Sequence, residues 1–385
     1  MRSFLKRLGT VCLVMILSVG LTGTVFAQSE DSTKAAPSEP DSTATAKKKE
    51  PAKPPASGKA ATAKKRQQAP PPNSTPPGKL HTIEQIMEVI KKSELYYELD
   101  TVRMLTRDLL LSDTARPMVP ENQHIKMVGG RPTLTRYKLS SMGSPLMGMA
   151  DEAMQQRDYG TTLTRYRQIM GSDPNFDPIY MLLGDLYLAQ DSLDSAKVNL
   201  QQAVNLNFID FKAHQLLAET FWKMGKRDSA VAEMTIAHVL NINDPKIKGE
   251  LENYRMSSGR YWNGRAINPQ YRILKKGDTI KVMATQDWIG YATVKAVWRY
   301  EPGYARKMLG FDPAGNTFTM MEEKEALIGS MMANKDLGLI NPAIEQGYFD
   351  EFVLYEIAGP RHPLNLIVLP KEVIMRVAQY VDKFR

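Results

Sequence analysis

The chain is short of the residues that most often carry chemistry. Among 385 residues there is one cysteine, Cys12, and only five histidines, His81, His124, His214, His238 and His362, scattered along the sequence. Beyond Cys12 the chain can form no disulfide, no thiolate metal site and no thiol nucleophile, and it can enter an oxidising compartment without pairing errors. The HExxH, GxSxG and GxGxxG patterns and the phosphate-binding Gly-Lys-Ser/Thr loop are all missing. No metal and no cofactor are expected. Long apolar runs are scarce too, and past Ser29 no stretch approaches a membrane span. The net charge of +8 points to nucleic acid only until its location is considered. Between Gln28 and Lys79 ten basic residues face five acids, and Arg2, Lys6 and Arg7 supply the rest of the excess. The remainder is near neutral, so no basic nucleic-acid surface is expected.

Those three N-terminal cations precede the apolar run Val11–Val19, and Val25-Phe26-Ala27 offers small exit residues ahead of Gln28. Charged start, short apolar middle and small exit predict a secretory signal peptide over residues 1–27. The alternative is an uncleaved inner-membrane anchor, because no charge occurs between Leu8 and Ser29. Glycines and threonines inside the run favour cleavage. The residues before Cys12 (Gly9-Thr10-Val11) lack the leucine usual for lipidation. The expected location is the periplasm or cell envelope.

Residues 28–80 are nearly all Ala, Pro, Lys, Ser and Thr, too poor in large apolar side chains to offset the entropy of ordering. Pro70-Pro71-Pro72 and Pro76-Pro77 make this linker an extended spacer. Its Pro/Lys mixture resembles the periplasmic linkers of TonB-like proteins, which implies reach across an envelope; a solvated tether explains the composition equally. Folding is expected from His81. Thr82 and Gln85 form a capping box, Ile83, Ile86, Met87 and Ile90 recur at helical spacing, and Leu99, Val102, Leu105, Leu109 and Leu110 continue the series. These predict a helix pair over 83–111, followed by an irregular connection to residue 142.

The centre of the chain repeats against itself at 34 residues. Small residues recur at Ala150, Gly184 and Ala218, large ones at Leu146, Tyr180 and His214 and again at Tyr166, Leu200 and Met234. Thr162, Ala196 and Ala230, and Ile169, Ala203 and Ala237, keep the same register. Small residues let two helices of a unit approach while large ones fill the space between them. The pattern resembles the tetratricopeptide repeat family over about residues 143–244. His214, Thr162 and Phe208 depart from the family's usual residues. Such an array leaves open ends, so a closing helix is expected at Lys246–Tyr254 and the 83–111 pair at the other end.

The resemblance implies a protein-binding concave face lined by the first helix of each unit. Its residues here are Met147, Asp151 and Met154, then Met181, Asp185 and Leu188, then Glu219, Trp222 and Lys223. Three acids 34 apart favour a basic segment, methionines give an adaptable apolar surface, and Trp222 an anchor. The family's carboxylate clamp of lysines and asparagines is not matched; the charges have the opposite sign. The acids could equally be a solvated face that keeps the helices soluble.

From residue 258 the pattern changes. Tyr271–Lys275 and Thr279–Met283 around Lys276-Gly277-Asp278 predict a hairpin, and Thr293–Tyr300 a third strand. Thr317–Met320 is a candidate fourth strand and Leu364–Leu369 a fifth. Helices are expected at Glu322–Ala333, Tyr348–Ile357 and Pro370–Lys383. The expected architecture is thus an all-α tetratricopeptide-like array over 143–257 followed by an α+β domain over 258–385. Two functions compete: an exported scaffold that binds a protein or peptide, and an envelope enzyme such as a glycan hydrolase housed in the last domain. His362 is the one histidine placed to act as a general base, although a surface turn explains it as well. Glu322, Glu323 and Glu325 read as dipole-stabilising acids at a helix start. Trp262, Trp288 and Trp298 read as core.

Overall fold

The computed structural model describes residues 79–103, 117–261, 267–313 and 318–385. The expected leader at 1–27, the expected linker up to residue 78, and Leu105, Leu109, Leu110, Trp262 and Thr317 lie outside the described residues. Helix α1 (Ile83–Lys91) begins where expected, with Thr82 and Gln85 closing the capping box. The helix pair does not follow. Tyr96–Thr101 is strand β1, which pairs in parallel with Thr279–Ala284 far along the chain. A partner that distant leaves no local period, and the spacing of Leu99 and Val102 imitated a helix. The connection expected to be irregular holds a hairpin, β2 (Gln123–Val128) and β3 (Arg131–Arg136). Gly129 (φ 58°) and Gly130 (φ 77°) form its two-residue turn, a geometry that suits strand twist and needs glycine-like freedom at both positions.

The array comprises α2 (Gly143–Gln155) with α3 (Tyr159–Ser172), α4 (Ile179–Ala189) with α5 (Leu193–Leu206), and α6 (Phe211–Lys223) with α7 (Arg227–Leu240). Each pair packs as an antiparallel hairpin and each hairpin on the next. The period is visible in the backbone. Arg157, Asp191 and Gly225, 34 apart, are left-handed at the ends of the three first helices. A Cβ on Gly184 would sit 2.3 Å from Leu200 Cγ, so glycine sets the approach of α4 and α5.

The departures from the family pattern have local explanations. Thr162, in an alanine place, donates its hydroxyl to the Asp158 carbonyl at 2.8 Å. His214 and Phe208 answer each other: Nε2 donates to the Phe208 carbonyl at 3.0 Å while Nδ1 meets Glu233 at 2.6 Å. At the start of α2, Ser140 Oγ accepts from Gly143 N–H at 3.0 Å.

Helix α8 (Pro245–Ser257) closes the third unit as the sequence predicts, capped by Asp244. The other end is not covered by α1, which packs against the C-terminal helices described below. Residues 117–140 run past the units in reverse order and bond to the same position in each. Val119 N–H donates to Asn241 Oδ1 at 2.8 Å, Asn207 Nδ2 donates to the Gln123 carbonyl at 2.8 Å, and Ser140 N–H donates to Asp173 Oδ1 at 2.6 Å. Asp173, Asn207 and Asn241 are themselves 34 residues apart and follow the second helix of each unit. The segment is a strap, not a loose connection.

The expected hairpin forms from β4 (Tyr271–Lys276) and β5 (Thr279–Ala284), giving a sheet of order β1-β5-β4. The expected third strand is helix α9 (Ile289–Tyr300). Its residues from Tyr291 to Trp298 are all buried, and the β-branched Thr293, Val294 and Val297 among them favour a strand locally. After α10 (Tyr304–Leu309), Thr319 caps α11 (Met320–Ser330) where a fourth strand was expected. Then come α12 (Ile340–Glu345), α13 (Phe349–Val353), a π-helical turn at Leu354–Ala358, α14 (Gly359–Arg361) and α15 (Pro363–Ile367). Pro363 starts α15 in place of the strand expected at Leu364–Leu369. Helix α16 (Lys371–Phe384) follows close to its predicted bounds, with Ile374, Val377, Tyr380 and Val381 buried.

The packing does not break at residue 258. One apolar cluster runs from Ile86 through Val231, Met234 and Leu240 of α7 to Val377 and Val381 of α16. Helix α7 is therefore covered on both faces. Arg255, almost fully buried, donates to the Asp382 carbonyl at 3.0 Å and fastens α8 to α16.

Candidate functional site

The nine predicted groove residues lie on the three first helices, α2, α4 and α6, at equivalent places. They do not share one environment. Met181 (9% exposed) and Leu188 (4%) are buried in a cluster with Leu216, Leu217 and Phe221, so they bind α4 to α6 and are not a surface for a partner. Met147 and Met154 are half-buried at the open end of the array.

The acids stay at the surface. Asp151 and Glu219 are exposed, Asp185 is half-buried. Burial raises the Asp151 pKa above its ordinary value, and does the same at Asp185, where Lys212 opposes it. Both carboxylates act on Tyr166, whose hydroxyl is pushed up to about 12, first by burial and then by Asp151 and Asp185. At the far end Tyr254 is pushed up to about 12 by burial, with Glu219 and Glu250 adding to it. The face thus carries one acid per unit, with Lys212 beside Asp185 and Lys223 beside Glu219. Lys223 lies 3.8 Å from Asp191 and 4.0 Å from Glu219, exposed contacts of little energy.

Trp222 is not a free anchor. Its ring stacks on Tyr254 of α8 at 4.2 Å between centroids, 11° from parallel, and the Arg227 guanidinium lies 3.5 Å from the ring centroid. Sequence reasoning missed this because the partners come from the closing helix and from the first residue of α7. Trp222→Ala should accordingly cost stability of about 2 kcal/mol, through lost packing and stacking. Urea denaturation would register the change; an unaltered midpoint would return Trp222 to the binding face.

In the C-terminal region the acids expected at a solvated helix start turn inward. Lys295 Nζ meets Glu322 at 2.6 Å and Glu323 at 2.7 Å, and Tyr291 OH donates to Glu323. Burial works against the Lys295 charge and the two carboxylates outweigh it, so its pKa rises well above the usual value. Glu325, fully buried, accepts from Trp298 Nε1 at 2.6 Å, Tyr304 OH at 2.8 Å and His81 N–H at 2.6 Å. Glu356 accepts from Tyr380 OH and the Arg385 guanidinium. These carboxylates are held by cations and donors in the interior. His362 is exposed at the start of α15, beside a shallow apolar depression lined by Phe318, Leu354 and Leu366, and Glu356 is committed elsewhere. Trp288 (6% exposed) and Trp298 (5%) are core residues as predicted. Among the described residues no group of three or more His, Cys, Asp or Glu could hold a metal, and no helix is long and apolar enough to cross a membrane.

No protein-family model matches the chain, and no curated protein matches it. Among solved structures it is similar to the first tetratricopeptide domain of Spaghetti (RPAP3) bound to an HSP90 peptide, at 18% identity and TM-score 0.30, covering 32% of this chain and 99% of that one. The Arabidopsis OM64 tetratricopeptide domain aligns at 13% identity and TM-score 0.28 over 30% of this chain and 95% of its own. MamA aligns at 12% identity and TM-score 0.27 over 61% and 98%. On its own 34-residue period of antiparallel helix pairs, the chain carries a tetratricopeptide-like array joined to a smaller strand-containing region.

Proposed function

We propose that this chain is a protein-binding adaptor of the cell envelope, which holds a basic segment of a partner along the inner face of the array. The observation that carries the reading is the row Asp151, Asp185 and Glu219, one acid per unit on the same face. Burial already disfavours two of these charges, so each would gain from a cation brought alongside. Met147 and Met154 supply adaptable apolar contact at the open end, and Lys223 marks the other. The leader would export the chain, and the Pro/Lys-rich linker would let the array range from its point of attachment.

The test is binding of Lys/Arg-rich peptides to the full chain, followed by fluorescence anisotropy. Changing Asp151, Asp185 and Glu219 together to lysine should weaken binding more than tenfold, since each lost contact is worth about 0.2–1 kcal/mol and repulsion adds to it. Asn and Gln at the same places should give a smaller loss, with helix content unchanged by circular dichroism. Affinity should fall as salt rises. A folded triple-lysine variant with unchanged affinity and salt dependence would leave the acids as a solvated face.

A further inference from the structure

The β2–β3 hairpin is anchored at its base and bare at its tip. At the base, Asn207 holds the Gln123 carbonyl, His124 stacks on Tyr137 at 4.0 Å, and Tyr137 OH donates to Asp177 at 2.8 Å. Ile125 and Leu134, opposite each other, are the last residues packed on the core. Beyond them all eight residues from Lys126 to Thr133 are exposed. Met127 is 66% exposed and Val128 57%. Met127 pairs with Pro132 and Val128 with Arg131, so adjacent pairs put apolar side chains on both faces of the ribbon. Such a tip cannot bury itself by leaning on its own protein.

The charges carried by the hairpin itself have one sign. From Asn122 to Lys138 there are Lys126, Arg131, Arg136 and Lys138 and no acid. Among the described residues none of Lys126, Arg131 and Arg136 makes an ion pair. The geometry points to a lipid surface bearing anionic headgroups as the partner of this finger. From the Ile125–Leu134 pair to the turn are three residues, about 10 Å at strand rise, which matches the roughly 5–10 Å depth of interfacial insertion. Met127 and Val128 enter the headgroup–acyl boundary while Lys126 stays at the phosphates, and Arg131, level with Val128, reaches back to them along its long side chain. This inference stands on the hairpin alone and does not use the acidic face.

The linker is itself basic, so sedimentation with vesicles would not isolate the finger. The experiment therefore places an environment-sensitive dye on the full chain in a Cys12→Ser background. It sits at Val128→Cys or, as a control, at Val198→Cys, an exposed position of α5 (64%). Vesicles contain phosphatidylglycerol and a doxyl-labelled quencher lipid. The dye at 128 should shift blue and be quenched, while the dye at 198 stays in water. Vesicles of phosphatidylcholine alone should leave both unchanged. Lys126→Glu with Arg131→Glu should lower partitioning of the tip at least tenfold, since each cation near an anionic surface contributes several-fold. No quenching at 128, or equal quenching at both positions, would overturn the inference. So would shielding of the dye at 128 only by envelope proteins, which would assign the finger to a protein partner.

Discussion

Replacing Glu325 with alanine should destabilise the protein by about 3–5 kcal/mol, the cost of removing the shared acceptor from a buried polar cluster. The carboxylate is fully buried and joins four elements. Trp298 from α9, Tyr304 from α10 and the backbone N–H of His81 all donate to it, and His81 Nδ1 lies 2.9 Å away. Alanine strands the buried Trp298 and Tyr304 donors, and only the His81 side chain, 23% exposed, keeps access to water. The melting temperature should fall by roughly 10 °C for a chain of this size. Hydrogen exchange should show where the loss begins: α1, which His81 introduces, should open ahead of the array. Glu325→Gln keeps one acceptor but sets an amide N–H₂ against a donor, so it should recover only part of the loss. A Glu325→Ala protein within 1 kcal/mol of the parent would mean that solvent reaches the cluster after all.

The second large effect concerns two glycines that touch. A Cβ on Gly290 of α9 would lie 2.2 Å from the carbonyl oxygen of Gly329 in α11, a backbone atom that cannot swing aside. A Cβ on Gly329 would instead meet Val294 Cγ2 at 2.9 Å, a side-chain atom, and stand 3.3 Å from the Gly290 carbonyl oxygen, so its clash is the milder one. Gly290→Ala must push the helices apart, stretching the 2.7 Å bond from Tyr291 N–H to Ser330 Oγ and the Lys295 clamp beside it. The expected cost is about 3 kcal/mol, at the upper end for overpacking, against about 1 kcal/mol for Gly329→Ala. Denaturant titration of both variants would settle the order. Equal losses would show that the helices yield as rigid bodies and that the identity of the blocking atom is immaterial.

The parts legible in the sequence are those whose partners are near in the chain. Ala150, Gly184 and Ala218 recur because each unit packs on itself and on the next, so the period is written locally. The capping box at Thr82 and the hairpin at Gly277 are local as well. Distance defeated the reading of β1, whose ladder partner is 183 residues later at Tyr96 and Thr279. Local propensity misled the reading of α9, where Thr293, Val294 and Val297 favour a strand and packing on every side overrides them. The β2–β3 hairpin was missed for a different reason. Gly129-Gly130 between β-forming residues is a turn signal, but neighbouring prolines made the whole stretch look irregular. On the candidate face the acids were placed correctly on the first helices. Met181, Leu188 and Trp222 were assigned to a surface when contacts from α6 and α8 had already taken them.

The strap has a consequence for how this molecule can change. Open solenoids grow and shrink by whole units, because each unit meets only its neighbours. Here Asp173, Asn207 and Asn241 are rungs on which a single extended segment is threaded at fixed intervals. Excising the middle unit would remove the rung that Gln123 needs and bring the outer two together, while the strap between Val119 and Ser140 kept its length. Duplicating a unit would add a rung with nothing to grip it. Three is thus a counted number in this chain, measured by a ruler that lies outside the repeats, and unit duplication, the ordinary evolutionary route of repeat proteins, is closed to it unless the ruler is lengthened in step.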